Sequence, residues 1–366
     1  MSAWRKCLLP LVPLYAAGLA RKNARFDHGA AECRSLAWPV ISVGSLSAGG
    51  AGKTPFVIML AQLMTRQGWA VDVLSRGYGR RSEATERVEL AACEPGDAAL
   101  FGDEPLLIAR RAGVPVYVGA ERYHAGLLAE QDAPQPTDGA RPHVHLLDDG
   151  FQHRRLARCV DIVLVTRRDA EDGLLPAGDL REPLRSLRRA DIIVVREDEA
   201  SEVKQAIDRR IAGSPPAFWT VKRKVTICES FSEPLTGRTP EDGTHAETAT
   251  DSQRPAAPAL PLAFCALARP ADFAESLLSV GIHPAAMAVF RDHHPYTGAD
   301  ISQLVRRAQV LRADGFVTTE KDAVKLTAQM LASLREVGPI AIAELEVELI
   351  GANAAMDSLR SRLSAK

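Results

Sequence analysis

A glycine-rich segment that ends in a lysine and a threonine is the part of this sequence best suited to hold an anion. Residues 45–55 read SLSAGGAGKTP. Closely spaced glycines let backbone N–H groups converge on phosphate oxygens, the side chain of Lys53 can reach the β- and γ-phosphates of a nucleotide, and the hydroxyl of Thr54 can ligate Mg²⁺. The residues predicted to contact the nucleotide are Ser47, Gly49, Gly50, Ala51, Gly52, Lys53 and Thr54.

The flanking segments favour a phosphate loop over the alternative, a glycine-rich turn with a surface lysine. The preceding VISVG, residues 40–44, is typical of a buried strand, and Pro55 suits the first turn of a helix because its missing N–H would be unpaired there. The match to G-x-x-x-x-G-K-[ST] is imperfect because Ser47 stands at the first glycine. The double glycine is typical of the subgroup of phosphate loops that reads x-x-G-G-x-G-K-[ST].

Two adjacent acids follow another apolar run and could hold the metal that accompanies a nucleotide. The segment HVHLLDDGFQH, residues 143–153, places Asp148 and Asp149 at the end of a predicted strand. A carboxylate at that place holds Mg²⁺ directly or through water in phosphate-loop proteins. Asp-Asp-Gly is also typical of a simple turn, and it is the phosphate loop upstream that favours a metal site.

These residues need a scaffold that brings strand ends together, and the pattern between residues 38 and 200 predicts one. Apolar runs that read as buried strands alternate with amphipathic stretches; the runs are WPVISVG, WAVDVLS, VPVYVG, HVHLLDD, DIVLVT and ADIIVVRE. Helices are predicted over residues 55–67, 105–112 and 121–130. The alternation indicates an α/β fold, phosphate-loop NTPase-like, with a doubly wound parallel sheet whose ligands bind at the carboxyl ends of the strands.

A second, smaller α/β lobe is predicted after the first. Residues 217–230, AFWTVKRKVTICES, alternate like a strand, and strands and helices resume at residue 262. Between them, residues 233–261 contain no aromatic residue and are rich in Pro, Thr, Ala and acids, which predicts a disordered loop. We therefore expect a phosphate-loop lobe over residues 1–215 and a smaller lobe over residues 216–366, with a last helix from about Ala352 packed on either of them.

Composition is typical of a globular protein from a reducing compartment. The chain has 366 residues, 46% hydrophobic and 25% charged, which is enough for a sizeable core without disulfides. Its six cysteines are scattered, so neither a metal cluster nor a disulfide framework is expected. The formal net charge is −1, and we expect no nucleic-acid partner.

The first 25 residues differ from the rest because they carry basic side chains and no acid: Arg5, Lys6, Arg21, Lys22 and Arg25. Between the basic clusters lies CLLPLVPLYAAGLA, residues 7–20, which is too short to span a bilayer as a helix. Three interpretations remain open: a signal peptide, a buried helix, and a membrane-surface anchor with apolar residues in the acyl boundary and basic residues on anionic headgroups. The signal peptide fits least, since a nucleotide enzyme would lack ATP in the periplasm.

Seven motifs follow one another along the chain: VGSLSAGGAGKTP, LSRGYGR, GDEP, LLDDGFQHRRL, LLPAGDLREPL, RDHHPYT and VTTEKDAVKL. In this combination the sequence closely resembles the tetraacyldisaccharide 4'-kinases, the lipid A 4'-kinases of Gram-negative bacteria, over nearly its whole length. The resemblance implies transfer of the γ-phosphoryl group of ATP, with Mg²⁺, to the 4'-hydroxyl of a tetraacyldisaccharide 1-phosphate lipid. It also implies a peripheral location at the cytoplasmic face of the bacterial inner membrane.

The resemblance also assigns roles to individual residues. It implies that Asp103 is the catalytic base, with His293 as its partner and His294 as a neighbour, and that Lys53 acts on the phosphates. It places Glu104 near the metal or nucleotide, so that the implied metal-site residues are Thr54, Glu104, Asp148 and Asp149. The basic residues implied to face substrate or phosphate are Arg76, Arg122 and Arg181.

On its residues alone, Asp103 also fits the N-cap of the helix predicted from residue 105, because side-chain oxygens there accept hydrogen bonds from unpaired N–H groups. The two roles are compatible, since ligands also bind where helices start at strand ends. The sequence departs from the family's pattern at CALARP, residues 265–270, where the family has glycines, and in the long 233–261 segment. We expect neither departure to touch the catalytic motifs.

Two other functions remain open. One is a regulatory ATPase or GTPase switch of the double-glycine subgroup that acts on a protein partner, and the other is a peripheral membrane adaptor with a degenerate nucleotide site. The sequence contains no guanine-reading N-K-x-D run, which argues against a GTPase switch. The intact Gly52-Lys53-Thr54 argues against a degenerate site.

Overall fold

One continuous β-sheet runs through the computed structural model, which describes residues 5, 7–89, 98–133, 141–211, 216–228 and 257–364. Its strands are β1 (Val40–Ser45), β2 (Ala70–Ser75), β3 (Glu86–Arg87), β4 (Val116–Val118), β5 (His143–Asp148), β6 (Val160–Leu164), β7 (Ile192–Arg196), β8 (Ala217–Cys228), β9 (Leu262–Cys265), β10 (Ala286–Val289), β11 (Phe316–Thr319) and β12 (Ile340–Leu349). Their order across the sheet is β10-β9-β11-β12-β8-β7-β6-β1-β5-β2-β4-β3. The predicted α/β fold is confirmed.

The first half of the sheet is parallel from β4 through β8, and only the two-residue β3 pairs in the opposite direction. β1, β5 and β6 are buried almost throughout, as expected for strands covered on both faces. β1 lies between β5 and β6, so the chain passes from one side of β1 to the other at this point. Such a reversal opens a crevice at the carboxyl ends of the strands.

The second half contains β9 to β12, which are parallel to one another. The two halves are joined by β8 and β12, an antiparallel pair that runs from Cys228 opposite Ile342 to Val221 opposite Leu349. Because β8 also pairs with β7, one ladder of backbone hydrogen bonds continues across the predicted boundary at residues 215 and 216. The division into two lobes at that boundary stays a prediction.

The described helices are Val12–Asp27, Lys53–Arg66, Ala98–Phe101, Asp103–Ala112, Arg122–Asp132, Arg167–Glu171, Ala200–Asp208, Pro270–Ser279, Gly298–Leu311, Glu320–Ala323, Ala328–Arg335 and Ala352–Ser364, with 3₁₀ turns at Leu9–Leu11, Leu184–Arg189 and Glu197–Glu199. The three helices predicted in the first half are present. The first two begin two residues earlier than predicted, because the N-cap in each case is a glycine, Gly52 or Gly102. Both glycines have a positive φ that starts the helix abruptly.

The last helix, Ala352–Ser364, packs on the first half of the sheet. Ala355, Met356 and Leu359 are buried in the same apolar core as Phe56 and Leu60 of the helix Lys53–Arg66. From the sequence, this helix is expected to pack on either of the two lobes. In the structure, the end of the chain packs against the helix that follows the phosphate loop.

The helix Val12–Asp27 has no buried residue, and Leu14 is 74% exposed. Its polar contacts hold it to the first half: the Tyr15 hydroxyl donates to the carbonyl of Arg181 at 2.8 Å, and Asn23 donates to Glu182 at 3.2 Å. The buried-helix interpretation therefore does not describe this segment. Within the described ranges, no helix is both long and apolar enough to cross a membrane.

The segment predicted to be a disordered loop, residues 233–261, lies mostly outside the described residues. The described residues continue from residue 257, and β9 begins at Leu262.

Candidate active site

The phosphate-loop residues lie between β1 and the helix Lys53–Arg66, at the carboxyl edge of the sheet. Gly50 and Gly52 have φ angles of 73° and 81°, a left-handed conformation that residues with side chains rarely adopt. No side chain caps the helix at Gly52. The loop therefore offers the uncapped N–H groups of a helix N-terminus, which is the backbone arrangement that binds phosphate.

The Lys53 ammonium lies at the same edge between two oxygens. Its Nζ donates to Ser45 Oγ at 3.1 Å and lies 3.4 Å from Asp149 Oδ1. Nearby, Ser47 Oγ is buried and has no hydrogen-bond partner among the described residues, although buried hydroxyls are usually paired. A polar ligand in the loop would supply that partner.

Two arginines from distant parts of the chain contact the loop's carbonyl groups. Arg223 on β8 donates to Ala51 O at 2.6 Å, and Arg269 donates to Gly50 O at 3.2 Å. The expectation that the CALARP segment touches no catalytic motif is therefore wrong, because Arg269 belongs to it. Sequence reasoning missed both arginines, and only the basic character of KRK within an otherwise apolar strand could have drawn attention to Arg223.

Asp148 and Asp149 are adjacent in sequence but lie in different surroundings. Asp148 ends β5, is 3% exposed and accepts a hydrogen bond from Ser75 Oγ at 3.0 Å. Burial, together with the charges of Glu104 and Asp149, raises the pKa of Asp148 to about 7. Within the described residues it forms no ion pair.

Asp149 is instead neutralised by two cations. Its φ of 49° turns the carboxylate toward Arg181, which donates two hydrogen bonds of 2.8 Å, and Lys53 lies on the same carboxylate. Although burial acts in the opposite direction, the charges of Lys53 and Arg181 hold the pKa of Asp149 well below its usual range. Arg181 also donates to Ser47 O at 2.9 Å, so one guanidinium connects the acid to the phosphate loop.

Arg122 and Arg76 form a second basic group on the cleft. Arg122 is 7% exposed, and its Nε has no hydrogen-bond partner among the residues that the structure describes. Burial and the neighbouring charge of Arg76 lower the pKa of Arg122. Two guanidinium groups that repel each other at a cleft wall are suited to a shared anionic ligand.

Asp103 and His293 are 190 positions apart and are brought into contact. His293 Nδ1 lies 2.9 Å from Asp103 Oδ2 and 3.2 Å from Oδ1. Asp103 is 5% exposed at the start of the helix Asp103–Ala112, while His293 lies in the loop after β10 with a φ of 58°. A positive φ on a non-glycine residue is uncommon and concentrates at functional sites.

The alternative role of Asp103 as an N-cap does not apply, because Gly102 occupies that position. The Asp103 carboxylate does accept a hydrogen bond from the N–H of Glu104 at 2.9 Å. His294 lies away from Asp103: its Nε2 is 3.0 Å from Asp300, and its ring stacks on Phe290.

The electrostatics of the pair favour an ionised carboxylate. Burial alone would raise the pKa of Asp103, but the hydrogen bond with His293 and the charge of Lys321 outweigh burial and lower it. The hydrogen bond with Asp103 raises the pKa of His293, against burial and the charge of Lys321. Asp103 is therefore a carboxylate held in a fixed direction by a histidine.

Lys321 is a residue of this cluster that sequence reasoning missed. Its Nζ donates to Glu104 Oε1 at 3.1 Å and lies 3.3 Å from His293 Nε2. The signal was present in VTTEKDAVKL, where a charged pair follows a buried strand, but nothing local shows what the lysine contacts. Glu104, predicted near metal or nucleotide, lines the cleft and is paired with this lysine.

One cleft of about 1900 Å³ is bordered by most of these groups. Asp103 is buried next to it, in contact with His293, which lines the cleft. Pockets for a single small ligand are typically roughly 300–1,000 Å³, so this cleft has room for two. The phosphate loop and both aspartates line one side, and His293 and Lys321 line the other. Arg21, Lys22 and Arg25 of the N-terminal helix complete the wall.

Donors for a metal are present, although the described residues contain no group of three or more His, Cys, Asp or Glu side chains that could hold an ion by themselves. Mg²⁺ in nucleotide sites uses one or two protein ligands together with phosphate oxygens and waters. Asp148 and the Thr54 hydroxyl fit that pattern, because a cation would offset both the burial and the repulsion from Glu104 and Asp149 that raise the pKa of Asp148. Asp149 and Glu104 are each already paired with a basic side chain.

Comparison with known proteins gives one consistent result. The family model described as LpxK, tetraacyldisaccharide-1-P 4'-kinase, matches residues 4–364. A relative from Koribacter versatilis named tetraacyldisaccharide 4'-kinase is 40% identical over 96% of this chain and 97% of its own length. One of the same name from Aquifex aeolicus is 34% identical over 88% and 90%, respectively.

A solved structure also matches the whole fold. The crystal structure of LpxK from Aquifex aeolicus in complex with ATP superposes with a TM-score of 0.69 and 31% sequence identity. The match covers 98% of this chain and 99% of that one.

Proposed function

Because the chain belongs to the tetraacyldisaccharide-1-P 4'-kinase family, we propose that its cleft transfers the γ-phosphoryl group of ATP to the 4'-hydroxyl of a tetraacyldisaccharide 1-phosphate in lipid A biosynthesis. The chain is an ATP-dependent phosphotransferase that acts on a hydroxyl group. The observation that carries the proposal is a buried carboxylate, Asp103, oriented by His293, whose side chain lines the same cleft as the phosphate loop. A switch ATPase has no need of such a base and is not favoured.

At the nucleotide end, the chain supplies backbone N–H groups and fixed positive charge. The uncapped start of the helix after Gly52 and the Lys53 ammonium bind the β- and γ-phosphates, where negative charge builds up during transfer. Asp149 holds Lys53 and Arg181 in place through its ion pairs. Because these cations are already held in position before the substrate binds, they stabilise the transition state without a cost of reorganisation.

We propose that Asp148 and Thr54 are the residues that would hold Mg²⁺. The ion, when bound, neutralises charge on the β- and γ-phosphate oxygens. Asp149 and Glu104 act beside it through the basic side chains that they position, rather than as ligands.

At the acceptor end, Asp103 is proposed to accept the proton of the 4'-hydroxyl. As that O–H bond breaks, the hydroxyl oxygen bonds to the γ-phosphorus, the bond from that phosphorus to the β–γ bridging oxygen breaks, and ADP leaves. His293 fixes the direction of the carboxylate and stabilises its charge. Arg122 and Arg76 bind an anionic group of the substrate or nucleotide.

The function is tested by incubating the purified chain with γ-labelled ATP, Mg²⁺ and tetraacyldisaccharide 1-phosphate in detergent micelles. We expect labelled lipid, no label on a disaccharide that already carries a 4'-phosphate, and no transfer when EDTA removes the metal. Labelled inorganic phosphate without labelled lipid would instead support a switch ATPase. Transfer that persists in EDTA would contradict the metal site.

We also propose that the N-terminal helix binds the inner-membrane surface from the cytoplasmic side. Leu9, Leu11 and Leu14 are 51%, 48% and 74% exposed, so this segment presents apolar surface that no described residue covers. Arg21 and Lys22 further along the helix can reach anionic headgroups. A membrane at this helix would lie beside the cleft, where a lipid substrate must enter.

The membrane proposal predicts that replacing Leu9, Leu11 and Leu14 with serine weakens sedimentation with anionic lipid vesicles at least about tenfold, because burying a leucine side chain contributes roughly 1.5–3 kcal/mol. The contact of Tyr15 with Arg181 is untouched, so transfer to a substrate in detergent should continue. Leu278→Ser is the matched control, since Leu278 is 52% exposed on the helix Pro270–Ser279. Equal sedimentation of the triple variant and the unchanged chain would refute the anchor.

A further inference from the structure

We propose that Lys321 is a positioning residue of the transfer reaction: it donates a hydrogen bond to Nε2 of His293 and thereby fixes the imidazole as the tautomer whose Nδ1–H faces Asp103. The inference rests on the proposed function, because it concerns the pair that acts on the hydroxyl. Lys321 would then act together with Asp103 and His293, by keeping the imidazole in the orientation that faces the carboxylate.

The position of Lys321 makes this contact specific. Lys321 is the second residue of the short helix Glu320–Ala323, which follows β11 directly. Its side chain is 18% exposed, and its Nζ lies 3.3 Å from His293 Nε2, 3.1 Å from Glu104 Oε1 and 4.0 Å from Asp103 Oδ2. Glu104 lies on the helix Asp103–Ala112, which packs on the first half of the sheet, and His293 lies in the loop after β10 of the second half. The ammonium therefore contacts residues from both halves of the structure.

The chemistry of an ammonium group decides the tautomer. Lysine has three donors and no acceptor, so Nε2 of His293 can only offer its lone pair to Lys321. The ring proton is then on Nδ1, which donates to the two oxygens of Asp103 at 2.9 and 3.2 Å. A second proton on Nε2 would point an N–H toward the ammonium, which is unfavourable both as a hydrogen bond and as a charge pair.

The ammonium form of Lys321 is secured by the acids around it. Although burial favours the neutral amine, the charges of Glu104, Asp103 and Asp292 raise the pKa of Lys321 above its usual value. Lys321 therefore keeps its ammonium form and presents a donor to Nε2 of His293.

A competing acceptor shows why the position of the proton needs to be fixed. Asp292 Oδ2 lies 4.0 Å from His293 Nε2 and would draw a proton to that nitrogen. Lys321 is closer and has the opposite preference. Without it, His293 could turn its Nε2–H toward Asp292 and leave Asp103 without its donor. The other ring contact of His293 is with Tyr78, which is 62% exposed and provides no polar group to the ring nitrogens.

The residue before Lys321 anchors the same helix that carries Asp103. Arg111, near the end of the helix Asp103–Ala112, donates to Glu320 and also pairs with Glu344 at 2.7 Å. Glu320 and Lys321 therefore hold the two ends of one helix against the second half of the sheet. This places Lys321 firmly enough to orient a neighbouring ring.

The tautomer is measured directly by nitrogen NMR of the full-length chain labelled with ¹⁵N-histidine, with the His293 signals identified by their loss in His293→Gln. In the unchanged chain we expect a pyrrole-type Nδ1 and a pyridine-type Nε2. An Nε2–H tautomer or an imidazolium in the unchanged chain would overturn the inference without any further variant.

Kinetics of Lys321→Met separate positioning from a purely structural ion pair. We expect kcat to fall about 10²-fold, with KM for ATP within about threefold of the original, because a misplaced base costs turnover more than binding. We also expect the Nδ1–H signature to be lost, and Lys321→Arg, which keeps a donor, to recover part of both. Unchanged kcat and tautomer in Lys321→Met would overturn the proposal.

Lys325→Met is the matched control. Lys325 is buried in the same motif and pairs with Asp322 at 2.7 Å, but it does not contact His293. Its loss should lower thermal stability and leave the tautomer unchanged; an equal change of tautomer would show that charge in general, rather than the Lys321 contact, sets it. Failure of the proposed function is distinguishable, because the chain would then label no lipid whatever the tautomer.

Discussion

Replacing Lys53 with methionine is expected to remove nearly all phosphoryl transfer and to leave the fold intact. The ammonium is fixed by Ser45 and Asp149 at the edge of the phosphate loop, so it meets the charge that develops on the phosphates without reorganising. Loss of one such preorganised donor typically costs about 10² to 10³ in kcat. Asp149 remains paired with Arg181 in the variant, so the substitution leaves no uncompensated buried carboxylate.

Turnover with saturating ATP and lipid, together with the midpoint of thermal unfolding, checks this prediction. Lys222→Met is the control, because Lys222 lies on β8 with a 55% exposed side chain and pairs with Glu197 at 3.7 Å, outside the cleft. Its kcat should stay within about twofold of the original, as for other surface substitutions. A folded Lys53→Met that keeps more than about a tenth of the original turnover would contradict the proposed role.

The fold was predictable because its strands are covered on both faces. Short continuous apolar runs rich in Val and Ile, such as VISVG and DIVLVT, are typical of strands buried on both faces, and they occur as β1 and β6. Helix starts were predicted less well, since Gly52 and Gly102 start their helices through backbone conformations that the pattern of apolar residues does not encode. A single sheet runs through both halves because β8 pairs with β12. No local sequence pattern specifies this pairing.

Within the site, sequence reasoning worked where neighbours in the chain act together. The phosphate loop is one continuous segment, so its glycines, Lys53 and Thr54 could be recognised at once. The contacts of Arg223 and Arg269 with the loop span 172 and 219 positions, and they follow from tertiary packing alone. The same holds for Asp148 and Asp149: burial and the charges of Glu104 and Asp149 raise the pKa of Asp148, whereas Lys53 and Arg181 lower the pKa of Asp149 against the effect of burial.

The two sides of the cleft are expected to act as one catalytic unit, which a double-variant cycle on Asp103 and His293 tests. Asp103→Asn keeps an oxygen for the N–H of Glu104 but removes the base, and His293→Ala removes its partner. Each single change should lower kcat by roughly 10² to 10⁴, because general-base catalysis contributes about that much. The double variant should be only slightly slower than the slower single variant, since groups that work as a unit are lost together.

His294→Ala is the internal control that makes the cycle decisive. His294 is one residue away from His293, but its contacts are Asp300 and Phe290 within the second half, and it does not reach Asp103. Its loss should lower the midpoint of thermal unfolding and change kcat far less than His293→Ala does. Steady-state kinetics of the four variants, with ATP and lipid both saturating, would show the difference. If the losses from Asp103→Asn and His293→Ala multiply in full, the carboxylate and the imidazole act independently. A larger loss at His294 than at His293 would mean that the oriented carboxylate is not the group that accepts the proton of the sugar hydroxyl.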